Sequence, residues 1–434
     1  MDSERRELLN AAIAVNAGEI VKVGSTPDVR RRYRARNEID ASRMLAMPGL
    51  VNAHNHLFQV MCRGLGDGSD LSDWAQRAIW PLAPAFDEST CEIASRLACL
   101  EMLESGTTTV VDSHYLHHHP RAQDGVARAC LNSGMRAILG RAAMDANIVA
   151  EPFRETPDEA LEATERFIGA WHGAGGGRLT VRPEAMNEVT ASQEMILKLR
   201  GLSREAETGF HMHISEARSR PELIRKETGF RTIKYLDRLG VLGSDVVLAH
   251  CVWLDEEEMS VIAETDTAVA HNPISNQFLA DGVAPIPRLL EMGVRVGLGT
   301  DGAASNNSQD MFGVMKGAAL LHKVHNLRAD LMDPLQVLEM TTIEGARALG
   351  IADSVGSLEP GKRADILLLT MEEPAMVPCY SAVSNLVYSA SSRMVHTVII
   401  DGRIVAEAGS CISMDREEVL DEARRLERSL SRRL

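Results

Sequence analysis

GFHMHISE at 209–216, DVVLAHC at 245–251, DTAVAHNP at 266–273 and VRVGLGTD at 294–301 are four short apolar runs, each carrying a His or an Asp at its end. Longer amphipathic stretches separate them. Upstream the same alternation continues, with TTTVVDSH (107–114) before ARACLNSGMRA (127–137) and GRLTVRP (177–183) before EMILKLRGLSREA (194–206). Strands that alternate with helices imply parallel βαβ units, and so many units in sequence favour a (β/α)8 barrel over a shorter doubly wound sheet. The polar residues then fall at the strand ends, where a barrel exposes side chains on its C-terminal face and builds its active site.

The flanks read differently. AAIAVNAGEIVKV (11–23) carries two β-like runs around Asn16, Ala17 and Gly18, the pattern of a hairpin. ADILLLT (364–370) and HTVIIDGRIVAEAG (396–409) repeat that style, the latter around an Asp-Gly turn, so the two ends are expected to pair into one small sheet. AGGG (174–177) reads as a loop before a strand, MFGVMKGAALLHKVH (311–325) as a helix with one buried face, and DREEVLDEARRLERSLSRRL (415–434) as a charged amphipathic helix.

Composition narrows the function classes. The 434 residues are 45% apolar and 25% charged, as in ordinary globular proteins. With 61 acidic against 46 basic side chains the formal charge is −15, a field that repels polyanions, so no nucleic-acid partner is expected. No apolar run approaches the length of a membrane span, and the charged start MDSERRELL lacks the apolar stretch of a secretory signal. Seven scattered cysteines without a CxxC pair fit free thiols in a reducing compartment, and the expected location is cytoplasmic.

PGLVNAHNH (48–56) places His54 and His56 two residues apart at the end of an apolar run. On a strand, residues i and i+2 share a face, so both imidazoles can point at one ion. His213, His250 and Asp301 stand at three further strand ends and supply the nitrogen and oxygen donors a catalytic metal site still needs. Glu216, three residues after His213, can hang over the same mouth and shuttle protons without being a ligand.

At this point the chain resembles the amidohydrolase superfamily, in its branch of cyclic-amidine deaminases and triazine hydrolases. The matching stretches are PGLVNAHNHLFQ, HMHISE, VVLAHCVWLD, AHNPISN, APIPRLLEMGVRVGLGTDGAASNNSQDMF and GSLEPGKRADILLL, which run nearly end to end. The resemblance implies a (β/α)8 TIM barrel over residues 50–354. It also implies a small β-sandwich from residues 1–49 and 355–434, the latter including the terminal helix. It implies one divalent metal per subunit, usually zinc and in some members iron, held by His54, His56, His213 and Asp301. His250 would polarise substrate, Glu216 would serve as acid/base and Asp301 would accept the water's proton. No Lys stands at the end of GRLTVRP, so a mononuclear site is expected. The implied reaction is attack of metal-activated hydroxide on an aminated purine, pterin, pyrimidine or triazine, with release of ammonia. The partner is a small heterocyclic substrate, and family members are usually homodimers or homotetramers.

Two rival readings accompany this one: an s-triazine hydrolase that releases chloride or alkylamine, and a catalytically silent barrel scaffold. Members acting on adenosine-type thioethers carry a Glu after the first long loop and a His after the fourth strand. Here Ala83 and Glu184 stand near those positions, although Asp87 or Glu88 could substitute for the former, and the expectation is a smaller, bare ring. Gln59, Trp74, His114, Tyr115, Glu184 and His271 are the candidate substrate contacts. The start is expected to lack the first sandwich strand that members place before the segment equivalent to MDSERRELL.

Overall fold

The computed structural model describes residue 2 and residues 4–434; Met1 and Ser3, inside MDSERRELL, lie outside the described residues. The first element is an antiparallel hairpin, β1 (Ala11–Asn16) and β2 (Glu19–Ser25), whose turn residues Ala17 and Gly18 both have positive φ, 50° and 85°. β3 (Met44–Pro48) then leads into the barrel.

Eight parallel strands make the barrel: β4 (Leu50–Asn55), β5 (Thr107–His114), β6 (Arg136–Ala143), β7 (Leu179–Asn187), β8 (Phe210–Ile214), β9 (Val246–His250), β10 (Ala268–His271) and β11 (Val296–Leu298). They pair in chain order from β4 to β11. Helices cover them outside, which explains why β5, β6, β8 and β9 are buried at every position. The two edge strands approach each other where the Asp301 N–H donates to the His54 carbonyl at 3.0 Å. Gly299 permits that approach, since a Cβ there would meet Asn272 Oδ1 at 2.4 Å and the His54 backbone at 2.9 Å.

The chain ends form a second body. β12 (Ile366–Thr370), β13 (Val395–Ile400), β14 (Arg403–Glu407) and β15 (Ser410–Cys411) join β3 in a five-stranded antiparallel sheet, with the expected Asp401-Gly402 turn between β13 and β14. The single terminal sheet anticipated from sequence is instead two. β1 and β2 pair only with each other, because β2 meets the segment before β12 rather than a strand, through the Ile20 N–H to Lys362 carbonyl bond (2.8 Å) and its neighbours. Ile20, Leu358, Ala364, Ile366, Leu368 and Ile399 fill the space between the two layers.

Arg136, at the foot of β6, ties this body to the barrel by bonding Asp365 (2.8 Å) and Asp401 (2.7 Å). AGGG is a single turn with Gly175 and Gly176 left-handed, at φ 65° and 69°. The terminal helix Arg416–Leu430, capped by Asp415, buries Val419, Ala423, Leu426 and Leu430, while Arg96 of helix Glu88–Glu104 pairs with Glu418 and Glu422. Helix Met311–Asn326 buries the face expected of it. No helix among the described residues is long and apolar enough to cross a membrane.

Candidate active site

Six of the sequence-selected side chains, His54, His56, His213, Glu216, His250 and Asp301, converge at the C-terminal mouth of the barrel. Between Asn52 and Asn55, β4 spends three residues where β5 spends two, from Val110 to Asp112. Such a bulge re-aims side chains, and the His54 ring here stacks on His211 of β8 at 5.1 Å. His56 lies just past the strand, so the pair are not neighbours on one strand face as expected, and their rings meet edge-on at 83°. They nevertheless share a target: His54 Nε2 is 3.6 Å and His56 Nε2 3.3 Å from Asp301 Oδ1. At the other strand ends the backbone turns sharply, with Ser215 (φ 50°), His250 (φ 72°) and Asp301 (φ 60°) all left-handed. Non-glycine residues in that region cost roughly 1–3 kcal/mol each and cluster at functional sites.

Hydrogen bonds set the imidazole tautomers. His56 Nδ1 contacts the Ser113 carbonyl at 2.5 Å and His213 Nδ1 the Met186 carbonyl at 3.0 Å. A carbonyl only accepts, so both protons sit on Nδ1 and both Nε2 atoms present lone pairs. Those two Nε2 atoms face each other at 3.2 Å, with Asp301 Oδ1 beside them, and the Nε2 atoms of His54 and His250 are buried without partners. Lone pairs and a carboxylate so arranged repel unless a cation lies among them. The donor atoms of His54, His56 and Asp301 all lie within 4.8 Å of one another, as do those of His54, His213 and His250 and those of Glu216, His250 and Asp301. The residues therefore fit a divalent metal.

Electrostatics agree. Burial, reinforced by neighbouring imidazoles, holds His54 well below the ordinary histidine range, lowers His56 and brings His213 down to about 4, so the ligands are neutral. Burial opposes the charge on Asp301, but His56, His250 and the Ser275 hydroxyl outweigh it and keep the carboxyl below its usual value. Ser275 Oγ donates to Asp301 Oδ2 at 2.7 Å and the Gly302 N–H to Oδ1 at 2.8 Å.

Glu216 Oε1 is 3.6 Å from His250 Nε2, and His250 Nδ1 is held 3.0 Å from Asn276 Oδ1. Three residues that sequence reasoning passed over stand beside Glu216. Arg220 Nη2 lies 3.5 Å from Glu216 Oε2, Glu188 accepts the Ser215 N–H at 2.9 Å, and Asp281 is buried within electrostatic reach of both Glu216 and Arg220. The spacing of Arg220, four residues after Glu216 at a helix start, was a usable signal. Nothing local in FLADG marks Asp281.

The substrate candidates divide. Tyr115 packs against His56 at 5.3 Å, and its hydroxyl accepts from Gln59 Nε2 at 3.0 Å. Trp74 spends its indole N–H on the Ala304 carbonyl (2.8 Å), tying one rim loop to another. His114 is enclosed against Phe58 and bonded to the Leu116 carbonyl, and His271 faces His322 at 3.0 Å. His114, His117, His118 and His119 form no three-donor group among the described residues. Glu184 lies beneath the cradle, wholly buried, accepting from Ser113 Oγ at 2.6 Å and 3.5 Å from His213 Nδ1. Burial pushes its carboxyl up to about 8.

Comparison with known proteins gives this geometry a family. The 5'-deoxyadenosine deaminase of Methanosarcina acetivorans is 37% identical over 427 residues, covering 98% of this chain and 94% of that protein. The 5-methylthioadenosine/S-adenosylhomocysteine deaminase of Syntrophomonas wolfei is 39% identical over 393 residues, covering 90% and 88%. Among solved structures, an adenosine deaminase from Xanthomonas campestris with bound zinc superposes with a TM-score of 0.92 at 30% identity, covering 98% of this chain and 94% of that one. The profile of the amidohydrolase family matches residues 45–405, and the chain belongs to that family.

Proposed function

We propose that the protein is a metal-dependent hydrolytic deaminase whose substrates are 6-aminopurine nucleosides. The observation that carries the reaction class is the placement of Glu216, 3.6 Å from His250 Nε2, beside a cradle of unprotonated His nitrogens centred on Asp301. The substrate class leans on the relatives named above. It departs from the bare ring suggested by Ala83 and Glu184, because Glu184 is buried under the cradle and its identity carries no information about ribose.

His54, His56, His213 and Asp301 would hold the metal, which we take to be zinc as in the Xanthomonas campestris neighbour. When bound, such an ion lowers the pKa of water toward about 7 and supplies hydroxide at neutral pH. Asp301 takes the proton of the attacking water, its carboxylate oriented by Ser275 and the Gly302 N–H. Glu216 delivers a proton to the ring nitrogen next to the reacting carbon and so offsets the charge that builds during addition. His250, fixed by Asn276, steadies the oxygen being added. Collapse sends the Asp301 proton to the amino nitrogen, which leaves as ammonia, and the hydroxyl proton of the adduct back to Glu216, so a ring carbonyl remains and both carboxyls are restored. Seven free thiols, of which only Cys379 is exposed, suit a cytoplasmic setting.

The test is a panel. Zinc-loaded protein is incubated with adenosine, 5'-deoxyadenosine, adenine, guanine, an aminopterin ring and chlorinated triazines, with ammonia and chloride recorded together. Ammonia from the nucleosides is the expected result; chloride alone, or silence from metal-loaded protein, overturns it.

A further inference from the structure

Glu188, Arg220 and Asp281 adjoin Glu216 but take no part in the steps above. Asp281 is only 7% exposed, and its Oδ2 is buried with no hydrogen-bond partner. An unpartnered buried polar atom is destabilising, so the arrangement is one that a ligand's donor would relieve. The position of Asp281 is well defined. Its N–H donates to the Asn276 carbonyl (2.9 Å), its carbonyl accepts from the Trp253 indole (2.7 Å), and Asn276 is the residue that holds His250. Gly282 next to it, at φ 128°, lets the segment lie against Val252 and Trp253, where a Cβ would come within 3.1 Å of both.

The carboxyl's electrostatic neighbours include Glu216, Arg220, Asp301 and Asp70. The reacting carbon of an aminated heterocycle presents the incoming oxygen to the Asp301 and His250 side and its ring nitrogen to Glu216. The substituent left over is the departing group. Asp281 and Tyr115 are buried polar side chains that both sense Asp301 and Glu216, but the Tyr115 hydroxyl already accepts from Gln59 at 3.0 Å, whereas Asp281 Oδ2 has no partner. Burial, with Glu216 nearby, pushes this carboxyl up to about 9, and Arg220 acts against that rise.

Building on the deaminase reading, we propose that Asp281 is a specificity-determining residue that accepts a hydrogen bond from the departing amino group and so selects N–H-bearing leaving groups over halide. Chloride has no donor and leaves Oδ2 unpaired. A site built to bond an N–H discriminates strongly against an analogue that lacks it.

Two substrates sharing ring and sugar test this: adenosine, followed by ammonia release, and 6-chloropurine riboside, followed by chloride release. kcat/KM for each is compared in wild type and Asp281→Ala at equal metal content. The expected result is a fall of about 10-fold or more in the amine-to-chloride ratio of kcat/KM. The inhibition constant of purine riboside, which carries hydrogen at that carbon, should stay within about 3-fold, since it offers Asp281 no donor. Equal losses on both substrates, or an unchanged ratio, overturn the proposal. Should the alanine variant fail to fold, Asp281→Leu, which keeps a branched side chain without an acceptor, is read by the same criteria. Wild-type protein that releases neither product overturns the deaminase reading itself, whereas ammonia release with an unmoved ratio overturns only the role of Asp281.

Discussion

The imidazole of His56 is anchored to Ser113 through a 2.5 Å contact between Nδ1 and the main-chain carbonyl, while the Ser113 hydroxyl donates to Glu184 beneath it. One residue of β5 thus sets the tautomer of a metal ligand and ties it to a buried acid. Outer-shell bonds of this kind orient ligands and raise their basicity.

Metal retention follows from that arrangement. Because burial brings His213 down to about 4, its lone pair survives acidification that would protonate free imidazole near 6.5. Protein dialysed at pH 5.5 should keep its metal, and loss should set in as pH falls toward 4, read as metal per subunit by elemental analysis. At neutral pH, chelation should abolish turnover and added zinc restore it, whereas His213→Ala should remain depleted.

Glu216→Gln keeps the shape of the side chain and removes its proton chemistry. We expect kcat to fall by about 10²–10⁴-fold with metal content unchanged, since the three His ligands and Asp301 are untouched. Turnover at the wild-type rate in this variant would remove Glu216 from the mechanism.

Glu184 offers a stability test with a definite sign. Its folded carboxyl is raised to about 8 from an ordinary 4.5, so between these values the folded state binds a proton that the unfolded state has released. Stability therefore decreases as pH rises through that window, by about 1.4 kcal/mol for each unit of displacement. Glu184→Gln should flatten the decline. Thermal unfolding of metal-free protein at pH 5 and pH 8 measures it, and an identical pH dependence in the two proteins would contradict the assignment.

The barrel and its metal cradle were readable because their signals are local. Each strand is an apolar run, and each ligand stands at its end, where the β to α turn makes the C-terminal face. What escaped reading depends on parity and on distance. In β10, Ala268 and Ala270 pack into the cluster with Val247 and Ala249, so His271 turns the other way, to His322. The bulge in β4 breaks the two-residue alternation that made His54 and His56 look like neighbours on one strand face. Glu188, Arg220 and Asp281 come from segments after β7, β8 and β10 and meet only in three dimensions. The hairpin β1–β2 looked able to join the C-terminal strands, but which edge it meets is set by packing around Ile20, not by its own pattern.

The joint between barrel and terminal sheet rests on Arg136. Its guanidinium bonds Asp365 through Nε at 2.8 Å and Asp401 through Nη2 at 2.7 Å, with side-chain exposures of 10%, 2% and 12% respectively. Asp401 keeps a second cation in Arg363, and its N–H donates to Asp365 at 2.9 Å, but among the described residues the Asp365 side chain has no other arginine within ion-pair distance. Replacing Arg136 with Met would leave that carboxylate buried and unpaired, a change that costs about 3–5 kcal/mol when one partner of a buried pair is removed. We expect a clear drop in the unfolding midpoint. The pair lies at the foot of β6, on the opposite end of the barrel from the cradle, so kcat/KM at 25 °C should stay near the wild-type value. Asp365→Asn in the Arg136→Met background should recover part of the lost stability, because it removes the stranded charge. A double variant no more stable than the single one would show that Arg136 acts through packing and not through its charge.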